Sequence, residues 1–145
     1  MKIDLETHPY DYGKVVSNAT ASEGGRTFIL DNKSGYIMRR WAIDNVVFKK
    51  RVEIRCDYLI EVQKNRLTFF WIELKGKDLA KACQQILSTI NLVQIPNDTL
   101  QESRVMTTGT NKIDIRSIEY QKLDKMMRKT GGCLKSHTNK AIEVV

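Results

Sequence analysis

The sequence predicts a mixed α/β fold, and two features carry that expectation. One is a pair of apolar runs, 53–62 and 67–75, separated by the polar residues Gln63, Lys64, Asn65 and Arg66. That is the pattern of a β-hairpin. The other is a pair of amphipathic stretches, 77–90 and 117–129, with a strand-like run at 103–107 between them. Strands followed by helix, strand, helix and strand give a sheet with helices packed on it.

The elements follow in order. Residues 1–25 have little apolar periodicity. Pro9, Gly13 and the stretch 17–25, ending in Gly24 and Gly25, read as loops or one short helical turn. Residues 27–30 fit a short strand, and 31–35 a turn whose Asn32, Ser34 and Gly35 supply the backbone angles a turn needs. A longer strand is expected across 36–48, rich in Ile, Val and aromatics, and then comes the hairpin. Gly76 breaks the chain after it. Asp78 is placed to cap a helix, in which Leu79, Ala82, Cys83, Ile86 and Ile90 recur at the spacing of one helix face. Pro96 and Asn97 end that unit. Ser117 caps a second helix running through Lys129, with Ile118, Leu123, Met126 and Met127 expected to face inward. Gly131 and Gly132 stop it, and 133–137 form a last strand. Trp41 and Trp71 fall in strand-like runs and belong to the core.

At 145 residues the chain is expected to be a single domain spanning 1–145. No apolar run approaches the ~18–20 residues of a membrane helix. The N-terminus shows no apolar signal core, so a cytoplasmic location is expected, with no membrane partner. Cys56, Cys83 and Cys133 are odd in number and widely spaced, which suits reduced thiols rather than a metal-ligand pattern. The net charge of +7 favours polyanions as partners, and nucleic acid first among them.

The hairpin carries the chemistry. In an antiparallel pair, partners sit equidistant from the turn centre. The midpoint of Asp57 and Glu73 falls on Asn65, so the two acids should face each other, with Cβ atoms roughly 4.5–5.5 Å apart. Two facing carboxylates repel unless a cation lies between them. Lys75, two residues beyond Glu73, projects from the same face. Oxygen ligands suit Mg2+, with Mn2+ able to substitute. The ion would also take water, a phosphate oxygen and a backbone carbonyl, for which Leu74 is well placed. A lysine beside it can orient and help deprotonate an attacking water. This is the equipment for hydrolysing a phosphodiester. A second acid-x-lysine, Asp31 to Lys33, falls in the expected turn with no opposed acid. His8 and His137 are isolated and read as non-catalytic.

Residues 56–60 (CDYLI), 72–79 (IELKGKDL) and Gln85 with Ile86 resemble the PD-(D/E)xK nuclease superfamily, in particular its small stand-alone members. Cys56 stands where the named pattern has proline. The resemblance implies a restriction-endonuclease-like fold, a mixed central sheet flanked by helices, and Mg2+-dependent cleavage of DNA, less often RNA. It implies that Asp57 and Glu73 bind metal, that Lys75 serves the water and that Gln85 lies near the scissile group. Basic residues gather at Arg39 and Arg40, at 49–51, at Lys75 and Lys77, and at Lys122, Lys125, Arg128 and Lys129 along the outer side of the second helix. Phosphate contacts from such groups are salt-sensitive and independent of sequence. The expected activity is a metal-dependent DNA endonuclease, with a homodimer among the expected partners because cutting two strands calls for two sites. The alternative is a non-catalytic nucleic-acid-binding or inhibitory protein built on a nuclease fold.

Overall fold

The structure is a computed structural model that describes residues 2–7, 14–15, 17–43, 56–74, 78–108 and 117–145. Nine strands, two α-helices and a short 3-10 turn at Leu5–Thr7 lie among them: β1 (Lys14–Val15), β2 (Asn18–Glu23), β3 (Arg26–Asp31), β4 (Ile37–Ala42), β5 (Tyr58–Gln63), β6 (Leu67–Glu73), α1 (Leu79–Leu92), β7 (Leu100–Thr107), α2 (Ile118–Thr130), β8 (Leu134–Thr138) and β9 (Lys140–Val144). They form a six-stranded sheet ordered β1-β4-β5-β6-β7-β8 and a three-stranded sheet ordered β2-β3-β9. Both sheets are mixed: β6, β7 and β8 run parallel, as do β3 and β9, and the other pairs are antiparallel.

The hairpin forms as its sequence predicts. Residues 64–66 make the loop between β5 and β6, and Tyr58 pairs with Ile72 and Gln63 with Leu67. β6 is apolar at almost every position because both of its faces are covered, as expected of an interior strand. Phe69 and Trp71 join Trp41 and Leu59 under α1 and α2. Phe70, Ile72 and Leu74 join Met38, Ile60 and Val62 under Ala19, Ala21, Phe28, Leu30 and Ala141 of the small sheet.

The expectation of a central sheet flanked by helices needs correction. Both helices pack on one face, and the small sheet covers the other. The physical reason lies in the connections. The chain steps from β6 to β7 to β8 in one direction across the sheet, each time through a helix. Crossovers of one hand taken in one direction leave both helices on the same side.

The helix ends are set locally. Oδ1 of Asp78 accepts the N–H of Lys81 at 3.0 Å, and Oγ of Ser117 accepts that of Tyr120 at 3.2 Å. Gly131 closes α2 at φ 103°, a left-handed angle that glycine adopts without strain. Gly132 follows where a Cβ would lie 1.9 Å from the carbonyl oxygen of Gln101, so the α2–β8 turn is pressed directly onto β7.

Three other expectations fail. The stretch 17–25 is not a loop: β2 pairs with β3 through a turn at Gly24 and Gly25. Its inward residues are Ala19 and Ala21, too small to announce a strand by their hydrophobicity. The chain also does not end its sheet structure at 133–137, since β9 follows β8 after Asn139 and joins the other sheet. Ile118 is 80% exposed. It precedes Leu123 by five residues, about 140° around the helix, so it cannot share the face of Leu123 and Met127. The strand expected across 36–48 is observed as β4, and residues 44–48 lie outside those described.

Candidate functional site

The β5–β6 register places the acids. Tyr58 pairs with Ile72 at the end of a ladder centred on Asn65, and Asp57 lies just before β5 while Glu73 ends β6. The N–H of Asp57 donates to the carbonyl of Ile72 at 3.1 Å, and its own carbonyl accepts from Ile43 at 2.9 Å, which holds the start of β5 between its neighbours. Alternation from Trp71 puts Glu73 on the helix-covered face of the sheet. Both acids are buried: Asp57 is 6% exposed and Glu73 0%. Oδ2 of Asp57 accepts the backbone N–H of Leu74 at 2.9 Å.

The helix side of the site is held by Thr89 on α1, a residue the sequence reading did not single out. Its hydroxyl accepts the N–H of Cys56 at 2.8 Å and donates to the carbonyl of Gln85 at 2.8 Å. A buried threonine one turn beyond Gln85, beside Ile86 and Ile90, was the available signal. Burial pushes the Cys56 thiol far above its ordinary range; the Thr89 hydrogen bond pulls it down, and the charges of Glu73 and Asp57 add to the upward push. The thiol therefore stays protonated.

The structure thus brings Asp57, Glu73 and Leu74 together. Gln85 lies on α1, half-buried, tied to Cys56 through Thr89. Lys75 and Lys77 lie outside the described residues. Lys122, Lys125, Arg128 and Lys129 are all exposed on α2, away from its buried Leu123 and Met127. Arg128 differs from the three lysines in holding Asp124, Nε to Oδ2 at 2.9 Å.

Arg39 and Arg40 are not a phosphate track. Arg39 sits between Glu6 at 2.5 Å and Glu61 at 2.6 Å, with its guanidinium 5.0 Å from the Trp41 ring centre. Arg40 donates to the carbonyl of Thr20 and lies over Tyr58. Residues 49–51 lie outside the described region.

A hard divalent ion fits the donor set of Asp57 and Glu73. Mg2+ in particular binds through one or two carboxylates and takes its remaining ligands from water and substrate phosphate. Among the described residues no group of three or more His, Cys, Asp or Glu side chains is placed to hold a metal, so the site would rely on those outside ligands. No helix among the described residues is long and apolar enough to cross a membrane. Comparison with protein-family models, with characterised proteins and with solved structures gives no match.

Proposed function

We propose that this chain is a Mg2+-dependent nuclease of the restriction-endonuclease-like kind, acting on DNA, with Mn2+ able to replace Mg2+. The observation that supports this reading above others is the placement of two buried carboxylates, Asp57 just before β5 and Glu73 at the end of the neighbouring strand β6. Burying two like charges side by side is costly unless a cation compensates them.

In this reading Asp57 and Glu73 hold the ion, joined by the carbonyl of Leu74. The ion, when bound, lowers the pKa of a water and neutralises charge developing on phosphorus. The N–H of Leu74 fixes Oδ2 of Asp57, which keeps the carboxylate from swinging toward solvent. Lys75 orients the attacking water and, as the neutral amine, takes up its proton, a role worth typically about 10²–10⁴ in rate. Gln85 sits near the scissile group, and Lys77 with the exposed cations of α2 holds the phosphate backbone.

The test is cleavage of single-stranded, double-stranded and branched DNA and of RNA, in Mg2+ and in Mn2+. Wild type should cut, while Asp57→Asn, Glu73→Gln and Lys75→Ala should bind within a few-fold and cut at least about a hundredfold more slowly. Undiminished cleavage by Asp57→Asn would sink the proposal. A second reading, a non-catalytic nucleic-acid-binding or inhibitory protein, gains from the bond that engages Asp57 with Leu74, because the acid then has a structural task as well. Wild type that binds nucleic acid and cuts none of these substrates in either metal would favour it.

A further inference from the structure

The small sheet ends on β9. Among the described residues its one strand neighbour is β3. The outward face of β9 carries Lys140, Ile142 and Val144, and the two apolar residues are 57% and 60% exposed. Ile29 of β3 stands beside Ile142 on that same face. Soluble proteins ordinarily guard such an edge with proline, a bulge or charge. Residues 140–144 contain no proline, and the ladder with β3 runs from Thr27–Lys140 to Asp31–Val144 without a bulge. The inward charge, Glu143, is bound by Arg104 at 2.6 and 3.0 Å. That leaves Lys140 as the only charge on the outward face of β9.

We propose that β9 pairs with β9 of a second copy of this chain, antiparallel about a two-fold axis at Ile142, joining two three-stranded sheets into one of six strands. The register follows from the faces. Side chains alternate, so an antiparallel match that keeps outward residues together must pair positions whose numbers sum to an even value. Among these, pairing about Ile142 alone matches all five residues of β9: Lys140 with Val144, Ala141 with Glu143, and Ile142 with itself. On the inner face the small Ala141 lies beside the larger Glu143, so no like charges meet.

Charge complementarity supports the same register. Lys140 of one copy faces Val144 of the other, and Asp31 is the β3 partner of Val144. Lys140 and that Asp31 are two strand spacings apart, about 10 Å between Cα atoms, which their side chains together can bridge. Symmetry makes the pair twice. The bonds from Arg104 to Glu143, together with His137 Nε2 at 3.1 Å from Glu143, hold β9 in place beforehand, so little ordering is lost on association. The interface is isologous and closes on itself, as most soluble homodimers do. This inference does not depend on the nuclease reading.

The experiment is the oligomeric state of the full chain by sedimentation and light scattering over the micromolar range, for wild type, Ile142→Lys and Ile118→Lys. Wild type and Ile118→Lys should be dimers and Ile142→Lys a monomer, with an unchanged circular dichroism spectrum because Ile142 faces outward. For the register, Ile142→Cys and Lys140→Cys are oxidised mildly. A 142–142 disulfide should form, since directly opposed Cα atoms lie about 4.5–5.5 Å apart, within the span of a disulfide. A 140–140 disulfide should not, because the two copies of Lys140 stand four residues apart along the ladder, about 13 Å. A wild-type monomer throughout the range, a dimer indifferent to Ile142→Lys, or a 140–140 link would each overturn the proposal.

Discussion

The backbone N–H of Leu74 donates to Oδ2 of Asp57 at 2.9 Å, so the acid at the start of β5 is tied to the residue that follows Glu73 on β6. One bond thereby links the Asp57 carboxylate to the piece of backbone that carries Glu73. It also shapes what replacing the acid should do.

Asp57→Asn keeps an oxygen to accept from Leu74 and removes one of two adjacent charges. In EDTA the variant should be as stable as wild type or more so, because repulsion at a functional site is relieved while its shape is kept. With Mg2+ or Mn2+ only wild type should gain, by about 2.7 kcal/mol at a hundredfold excess of ion over its dissociation constant. Thermal melts of both proteins with and without metal decide it. A strongly destabilised variant in EDTA, with wild type indifferent to metal, would make Asp57 a structural residue.

Thr89→Val should lower stability by ~1–3 kcal/mol, read from urea unfolding. The change keeps shape but leaves the N–H of buried Cys56 without the hydroxyl that accepts it. Thr89→Ser restores that hydroxyl and should recover most of the loss. If valine is tolerated without cost, the link from α1 to the start of β5 is not what holds it.

Glu143 makes stability depend on pH. Burial raises its carboxyl, but the hydrogen bond and charge of Arg104, helped by His137 and Lys135, outweigh burial and hold it below the usual carboxylate range. A depressed value means that the stabilisation is present above the ordinary carboxylate pKa and is lost as pH falls through the lowered one. Glu143→Ala should cost ~3 kcal/mol at neutral pH, because Arg104 would remain buried with its main partner gone. The gap between variant and wild type should narrow in acid. Denaturant melts across pH 3–7 give the curve, and a gap that stays constant would rule out the ion pair as its source.

On α2, Lys122, Lys125 and Lys129 are exposed, whereas Arg128 is engaged by Asp124. Replacing the three lysines with alanine should flatten the dependence of log affinity on log salt by about 2.7 if each neutralises one phosphate of duplex DNA. Arg128→Ala alone should change the slope less than any one of the lysines. Titrations at several salt concentrations measure both. An unchanged slope in the triple variant would remove α2 from the nucleic-acid surface.

What the sequence determined by itself is what short-range pattern can carry. Apolar runs equidistant from Asn65 set the β5–β6 register. Asp78, Ser117 and Gly131 set helix ends, because capping and a left-handed turn are satisfied within a few residues. The tertiary structure decided whatever depends on a distant partner. Ala19 and Ala21 become a strand only when β3 lies alongside, and β9 exists because β3 offers it a parallel edge. Arg39 is drawn to Glu6 and Glu61, and Arg104 to Glu143, ties between residues far apart in the chain. Both helices share one face because two crossovers step the same way across the sheet. Local periodicity records which face of a segment is apolar; it holds no record of what will cover that face, and coverage is settled only when segments far apart in the chain pack together.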